Sequence, residues 1–354
     1  MDGSRSTAGR VPDPAPGAPP DEPMIQVAGL AKTYKTKRGT VEAVRGVDLT
    51  VRAGEIVGFL GPNGAGKTTT LRMLTTLLRP TAGTATVVGA DLLREPVEVR
   101  KRIGYVAQSG GTDGACTVAE ELVTQAELYR LGAAEAQERC VKLCAQLDLT
   151  GLEDRYVKTL SGGQKRRLDI ALGLVHEPRL VFLDEPTTGL DPQSRANLWT
   201  HVRRLRDDLG TTVFLTTHYL DEADALCDRI LIIDSGRIVA EGSPEVLKSR
   251  ISGDLVTIET EGSAEAALAA LKGVAGIRES SASGQIARVT VEPGGQQLLA
   301  ITRALDAAAV PLASIQLARP TLDDVFLTLT GRSLRDDSPA AAAAAAAPET
   351  DAEN

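Results

Sequence analysis

The stretch Gly61-Pro62-Asn63-Gly64-Ala65-Gly66-Lys67-Thr68 combines small residues with one lysine and one hydroxyl, a composition suited to wrapping a phosphate. Glycines let successive backbone N–H groups turn inward toward anionic oxygens, and the N-terminus of the helix that follows adds its partial positive charge. Lys67 is then a compact charge for β- and γ-phosphates, and the Thr68 hydroxyl a ligand for Mg²⁺. The plainer reading is a Gly-rich turn with a surface lysine, and the flanks argue against it. Ile56-Val57-Gly58-Phe59-Leu60 reads as a buried strand, while Leu71, Leu74, Leu77 and Leu78 recur at helical spacing over residues 69–78. Strand, loop and helix is the context this chemistry requires. By itself the loop implies a nucleoside triphosphate and nothing narrower.

A second group of reactive residues ends another apolar run. Leu180-Val181-Phe182-Leu183 delivers Asp184 and Glu185 to its C-terminal end, where ligands gather in open α/β sheets. Asp184 suits Mg²⁺, through the water shell of the ion, and Glu185 suits a water attacking the γ-phosphate, which it would orient or deprotonate. Two acids ending a strand are common in isolation; here Pro186 and Gly189-Leu190-Asp191 follow them. Tyr34, among the polar residues Lys32-Thr33-Tyr34-Lys35, offers a face on which a nucleobase could stack, or is a half-exposed strand aromatic.

These groups need a scaffold, and the patterning supplies one. Ile25-Gln26-Val27 and residues 41–51 predict two or three antiparallel strands ahead of the loop; residues 84–88 and 103–106 predict further short strands. Residues 118–149 are rich in Ala, Glu, Leu and Gln and predict an α-helical lobe inserted in an α/β core. Leu160-Ser161-Gly162-Gly163-Gln164 introduces another helix, with Lys165, Arg166 and Arg167 on its exposed side and Leu168, Ile170, Ala171, Leu172 and Leu174 on its apolar side. Thr212-Val213-Phe214-Leu215 is a buried strand ending before His218, so the alternation implies a parallel sheet covered by helices.

A second unit is expected from Gly253. Strands at residues 255–259, 286–291 and 312–317 and helices at 264–271 and 296–309 point to a βαββαβ, ferredoxin-like domain. Thr321-Leu322-Asp323-Asp324 caps a last helix reaching Leu329. The expected division is therefore a disordered segment at 1–23, a nucleotide-binding domain at 24–252, an accessory domain at 253–332 and a disordered Ala-rich tail at 333–354.

Composition bounds the function. Hydrophobic residues at 42% and charged residues at 24% fit a soluble globular protein, and no apolar run nears the ~20 residues that cross a bilayer. Residues 1–23 lack the apolar core of a secretory signal, so a cytosolic location is expected. A net charge of −8 disfavours nonspecific nucleic-acid binding. Cys116, Cys140, Cys144 and Cys227 form no paired CxxC pattern, so neither a disulfide nor a zinc site is assigned.

Taken together, residues 24–248 resemble the ATP-binding-cassette ATPases. Ser161-Gly162-Gly163-Gln164, preceded by Leu160, is similar to the signature that separates this family from other ATPases and GTPases with a Gly61-type loop. The resemblance implies an α/β P-loop NTPase core of RecA-like type, an antiparallel β subdomain, an α-helical lobe and a small α+β C-terminal domain. It implies ATP and Mg²⁺ as ligands, with Tyr34 stacking on adenine, residues Gly61 to Thr69 holding the phosphates, and Thr68, Gln108 and Asp184 at the metal. Glu185 would be the catalytic carboxylate, Gln108 the sensor of Mg²⁺ and attacking water on the way to a membrane partner, and His218 the switch at the γ-phosphate. Ser161, Gly162, Gly163 and Gln164 would touch ATP held by a second copy, and Asp191 would link the two sites. His176 and His201 match nothing and read as structural or surface residues.

Val157-Lys158-Thr159, Arg166-Arg167-Leu168-Asp169, Thr217-His218-Tyr219-Leu220-Asp221-Glu222-Ala223 and the ending Leu322-Asp323-Asp324-Val325-Phe326-Leu327 further resemble the daunorubicin-resistance type of drug exporter. That implies an ATP-dependent homodimer, peripheral on the cytoplasmic side of the membrane, driving a separate integral membrane permease. The Gly-rich residues 109–117 depart from the family pattern where partner specificity would be read. The alternatives are export of lipid, polysaccharide or peptide, or a non-transport ATPase acting on ribosomes or DNA. Against the last stand the acidic charge, the single cassette and the lack of a long coiled coil between loop and signature.

Overall fold

The computed structural model describes residues 23–36, 39–250, 253–291, 296–318 and 320–331. The expected disorder of residues 1–22 and 333–354 lies outside the described residues. The chain divides into two compact units: one holds the described residues up to Phe59 with Gly64–Thr217 and Ser235–Arg237, the other Leu60–Asn63, His218–Asp234 and the described residues from Ile238.

In the first unit β1 (Ile25–Thr36) pairs antiparallel with β2 (Gly39–Val51), placing Ile25 opposite Val51. After β3 (Ile56–Leu60) and α1 (Lys67–Leu74), β4 (Ala82–Val87) pairs with β1, and β5 (Ala90–Asp91) completes the order β2-β1-β4-β5. Helix α1 is shorter than its leucine spacing predicts. Thr75 closes it by donating its N–H to Leu71 O, Thr76 takes a left-handed φ of 63°, and Leu77 is 58% exposed.

Helix α2 (Pro96–Arg102) leads into β6 (Ile103–Val106). The helical lobe is two helices, α3 (Val118–Leu128) and α4 (Ala133–Gln146), separated where Arg130 adopts φ 65°. A capping box starts α3: Thr117 accepts from the Glu120 N–H while Glu120 accepts from the Thr117 N–H. Then come α5 (Gly162–Leu174), β7 (Leu180–Asp184), α6 (Pro192–Asp207) and β8 (Thr212–Thr217). Strands β3, β8, β7 and β6 lie side by side in that order, and both β6 and β8 run parallel to β7. Every residue of β3, β7 and β8 is buried, as expected for a sheet covered on both faces, with the Phe214 ring 5.6 Å from those of Phe59 and Phe182.

The register of these strands positions the chemistry. Val106 lies opposite Leu183 and Asp184 opposite Thr216. Gln108 and Glu185, each two residues beyond the first of these pairs, therefore leave the sheet at the same level. Parallel strands carry their C-terminal ends to one edge, which is why residues so distant in sequence converge.

In the second unit, α7 (Leu220–Leu226), β9 (Arg229–Asp234), β10 (Arg237–Gly242, entering from the first unit at Arg237) and α8 (Pro244–Ser249) precede the C-terminal fold. That fold comprises β11 (Asp254–Thr260), α9 (Ala264–Ala270), β12 (Ile277–Ser283), β13 (Ile286–Val291), α10 (Gln296–Ala307) and β14 (Leu312–Ala318). Its antiparallel sheet has the order β12-β13-β11-β14, which is the ferredoxin-like arrangement. Val256, Ile258, Ala287, Val289, Ile301 and Leu305 fill its core. The strand that patterning does not place is β12, exposed along nearly its whole length. Last comes α11 (Leu322–Thr330), opened by a Thr321–Asp324 capping box and packed against α7 and α8.

Candidate active site

The end of β7, where the sequence places the candidate site, is polar. Asp184 and Glu185 are both buried, and each makes defined contacts. The Asp184 Oδ1 accepts from the Thr216 hydroxyl at 2.6 Å and from the Thr68 hydroxyl at 3.2 Å. The Thr216 hydroxyl also accepts from the Glu185 N–H at 3.0 Å, so one threonine on β8 locks both acids. Glu185 itself has φ 43°, a left-handed conformation that a non-glycine side chain occupies only when its surroundings impose it.

The Glu185 carboxylate is the centre of the cluster. Its Oε1 lies 3.4 Å from the Lys67 Nζ; its Oε2 accepts from the Gln108 amide at 2.9 Å and the Thr188 hydroxyl at 3.2 Å. Lys67 is 4% exposed, and burial pushes its amine below the ordinary 10.5, opposed by the Glu185 carboxylate and, more weakly, by Asp184. Lys67 is placed by the loop. Gly64 and Gly66 take φ of 79° and 106°, which only glycine adopts without strain, and Gly66 is the N-cap of α1. Thus Lys67, Thr68, Gln108, Asp184 and Glu185, from three segments, form one cluster.

The residues would accommodate Mg²⁺. A hydroxyl and a carboxylate oxygen 3.2 Å apart at a helix N-terminus are hard donors, and Mg²⁺ takes few protein ligands when phosphate oxygens supply the others. Among the described residues no group of three or more His, Cys, Asp or Glu could hold a metal.

The signature residues are built as a helix start. Ser161 caps α5 by accepting from the Gln164 N–H at 3.2 Å, and the Gln164 side chain accepts from the Ser161 N–H at 2.9 Å. Ser161 and Gly162 are exposed, so their face is open to a ligand. A Cβ on Gly163 would stand 3.1 Å from the Ser194 hydroxyl, which donates to Asp191 at 2.6 Å. The signature and Asp191 thus meet at the start of α6. Hydrogen bonds from the Ser194 hydroxyl and N–H hold the Asp191 carboxyl below its usual range.

Gly61, Pro62 and Asn63 fall in the second unit, where a Cβ on Gly61 would lie 2.3 Å from the Ile233 carbonyl oxygen. His218 is also in the second unit, its ring 4.1 Å from that of Tyr219. Tyr34 sits on β1 opposite Val41, 37% exposed, with the Lys32 amine 5.3 Å from its ring centre. His176 stacks on Tyr129 at 3.8 Å and His201 is buried beside Asp148, so both are structural.

Patterning misplaces one residue. Arg166, expected on the exposed side of α5, is 7% exposed, and Lys165 and Arg167 are only half-exposed. Its guanidinium donates to the carbonyls of Ala107 at 2.6 Å, Asp184 at 3.0 Å and Pro186 at 2.8 Å. The available signal was helical spacing: Arg166 shares the face of Gly163, Ile170 and Gly173, all buried.

Comparison with known proteins gives the family. Residues 44–188 match the ABC transporter family model, and residues 242–330 match the C-terminal domain of DrrA1-3-like ATP-binding proteins. The daunorubicin/doxorubicin resistance ATP-binding protein DrrA of Streptomyces peucetius is 45% identical over 319 residues, 89% of this chain and 94% of its own length. The Nod factor export ATP-binding protein I of Ralstonia nicotianae is 38% identical over 325 residues, 91% of this chain and 98% of its own length. Among solved structures, a dimeric, post-hydrolysis ATP-binding cassette bound to ADP and Pi superposes with a TM-score of 0.57 at 26% identity, covering 62% of this chain and 98% of that one. The chain belongs to the ABC transporter ATP-binding proteins, of the daunorubicin-resistance type, and is an ATP hydrolase of that family.

Proposed function

We propose that this chain powers efflux of a drug or antibiotic through a separate integral membrane permease, working as a pair of copies on the cytoplasmic face. The observation that carries the cargo class is the match to a daunorubicin/doxorubicin resistance protein over nearly the whole chain, C-terminal domain included. The match to a Nod factor export protein supports a second reading, in which the same machine moves a different cargo.

The cluster around Glu185 supports the residue roles. Lys67, with the N–H groups of the loop, would neutralise the β- and γ-phosphates, while Thr68, Asp184 and Gln108 would hold Mg²⁺, which adds charge neutralisation at the leaving phosphate oxygens. Glu185 would orient a water and take its proton as the water oxygen bonds to the γ-phosphorus. The bond from that phosphorus to the β–γ bridging oxygen breaks, releasing ADP and phosphate. Ser161 and Gly163 of the second copy would close over the γ-phosphate, Asp191 would couple the two sites, His218 would contact the γ-phosphate and Tyr34 would stack on adenine.

The test is export by cells expressing this chain together with a candidate integral membrane permease from the same genome. ATP-dependent daunorubicin extrusion that requires both chains and disappears with Lys67→Ala is the expected result. Extrusion of a lipid or glycan and not of daunorubicin would favour the second reading. Recovery of ribosomes or DNA, and no membrane subunit, in pull-downs from membranes would overturn both.

A further inference from the structure

We propose that Arg166 is a positioning residue that holds Glu185 and Gln108 in register and ties both to the helix headed by Ser161. This rests on the reading of Glu185 as the residue that acts on water. The three carbonyls that the guanidinium engages are not scattered: Asp184 and Pro186 flank Glu185 on either side, and Ala107 immediately precedes Gln108. Only an arginine can do this, because its planar fork carries five donors in fixed directions, whereas a lysine amine is a single point.

The clamp falls where the backbone needs one. Glu185 is held at φ 43° with its flanking carbonyls drawn to one cation, and Gln108 donates to the same Glu185 carboxylate at 2.9 Å. The cation is balanced by Asp169, one turn further along α5, with its Oδ2 3.7 Å from an Arg166 nitrogen. Arg166 stands five positions after Ser161 in the same rigid segment. A shift of α5 as Ser161 engages nucleotide is therefore transmitted through Arg166 to the backbone on both sides of Glu185. The three carbonyls of the clamp belong to the backbone beside Glu185 and Gln108 and not to the phosphate loop, so its loss is expected to lower turnover more than nucleotide affinity.

The test uses the full-length protein and four forms: the parent, Arg166→Lys, Arg166→Met and Glu185→Gln. Steady-state ATPase rate against ATP concentration, affinity for a fluorescent ATP analogue and thermal melting are measured on each. Arg166→Lys is expected to lower kcat roughly ten- to a hundredfold, as misplacement of a catalytic group does, with KM and analogue affinity within about twofold of the parent. Arg166→Met is expected to lose more turnover at the same affinity. If Arg166→Met fails to fold, Arg166→Lys carries the test alone. Turnover of Arg166→Lys within about twofold of the parent would overturn the proposal, as would a loss of kcat only in step with lost binding and melting, since that is what a purely structural arginine gives. Parental turnover in Glu185→Gln would instead overturn the role given to Glu185; a dead Glu185→Gln beside a normal Arg166→Lys removes Arg166 alone.

Discussion

Single side chains in this protein are placed by competition between burial and charge. Lys67 is the clearest case: burial disfavours its ammonium, and the carboxylate of Glu185 at 3.4 Å offsets part of that cost. Removing it would delete the charge-assisted contact to phosphate proposed for it, worth about 1.5–3 kcal/mol, so Lys67→Ala is expected to weaken ATP binding roughly ten- to a hundredfold. Equilibrium binding of labelled ATP checks this, and parental affinity would contradict it. His176 gives a prediction with a defined sign. Its burial pushes the imidazole pKa below the ordinary 6.5, with the bond to the Ile103 carbonyl opposing, so below about pH 6.5 the unfolded chain takes up a proton that the fold rejects. Stability must then fall as pH falls through that range. Melting temperatures at about pH 7.5 and about pH 5.5 should show a larger acid loss in the parent than in His176→Phe, which keeps a ring against Tyr129 but cannot titrate. Equal losses in the two would rule out this contribution.

At the scale of elements, packing decides what local pattern cannot. Helix α11 is held by Phe326, which is fully buried, while Leu327 beside it is 48% exposed. Phe326→Ala should cost about 3–5 kcal/mol and Leu327→Ala about 0.5 kcal/mol or less. Denaturant unfolding that found the two substitutions equal would show that α11 is not anchored on its Phe326 face. The same contrast explains what is legible in the sequence. Strands β3, β7 and β8 can be read there because they are buried throughout, and Asp184 and Glu185 because they end such a run. Strand β12 cannot: Arg278-Glu279-Ser280-Ser281 is polar and exposed, and it becomes a strand through its ladder with β13, a pairing no local window records. The pattern overruns the end of α1 because Leu77 and Leu78 keep helical spacing after the left-handed Thr76 has turned the chain. Arg166 reads as a surface cation because its charge outweighs its position on the buried face of α5; what satisfies it are three backbone carbonyls, which have no signature in side-chain patterning.

For the whole molecule, the decisive fact is stoichiometric. The chain has one phosphate loop and one signature, and the exposed Ser161 and Gly162 face outward from the start of α5, where another copy's nucleotide could meet them. On the proposed composite site, hydrolysis and dimerisation would be antagonistic steps of one cycle: closure would complete the site, and turnover of ATP would reopen it. Glu185→Gln separates the two. An amide cannot take the proton of the attacking water, so turnover should fall by about a hundredfold or more, the scale of general-base catalysis. The contacts proposed for Lys67 and Thr68 with ATP would remain, so the closed pair should accumulate. Size-exclusion chromatography of Glu185→Gln with ATP and Mg²⁺ should therefore show a species of twice the 37.2 kDa chain. Adding Lys67→Ala should return it to monomer by removing bound nucleotide; adding Ser161→Ala should weaken the pair while leaving ATP binding to the monomer intact. A Glu185→Gln protein that binds ATP yet stays monomeric would contradict the composite site. A pair that survives without nucleotide would mean that surfaces other than the phosphate loop and the signature hold the two copies together.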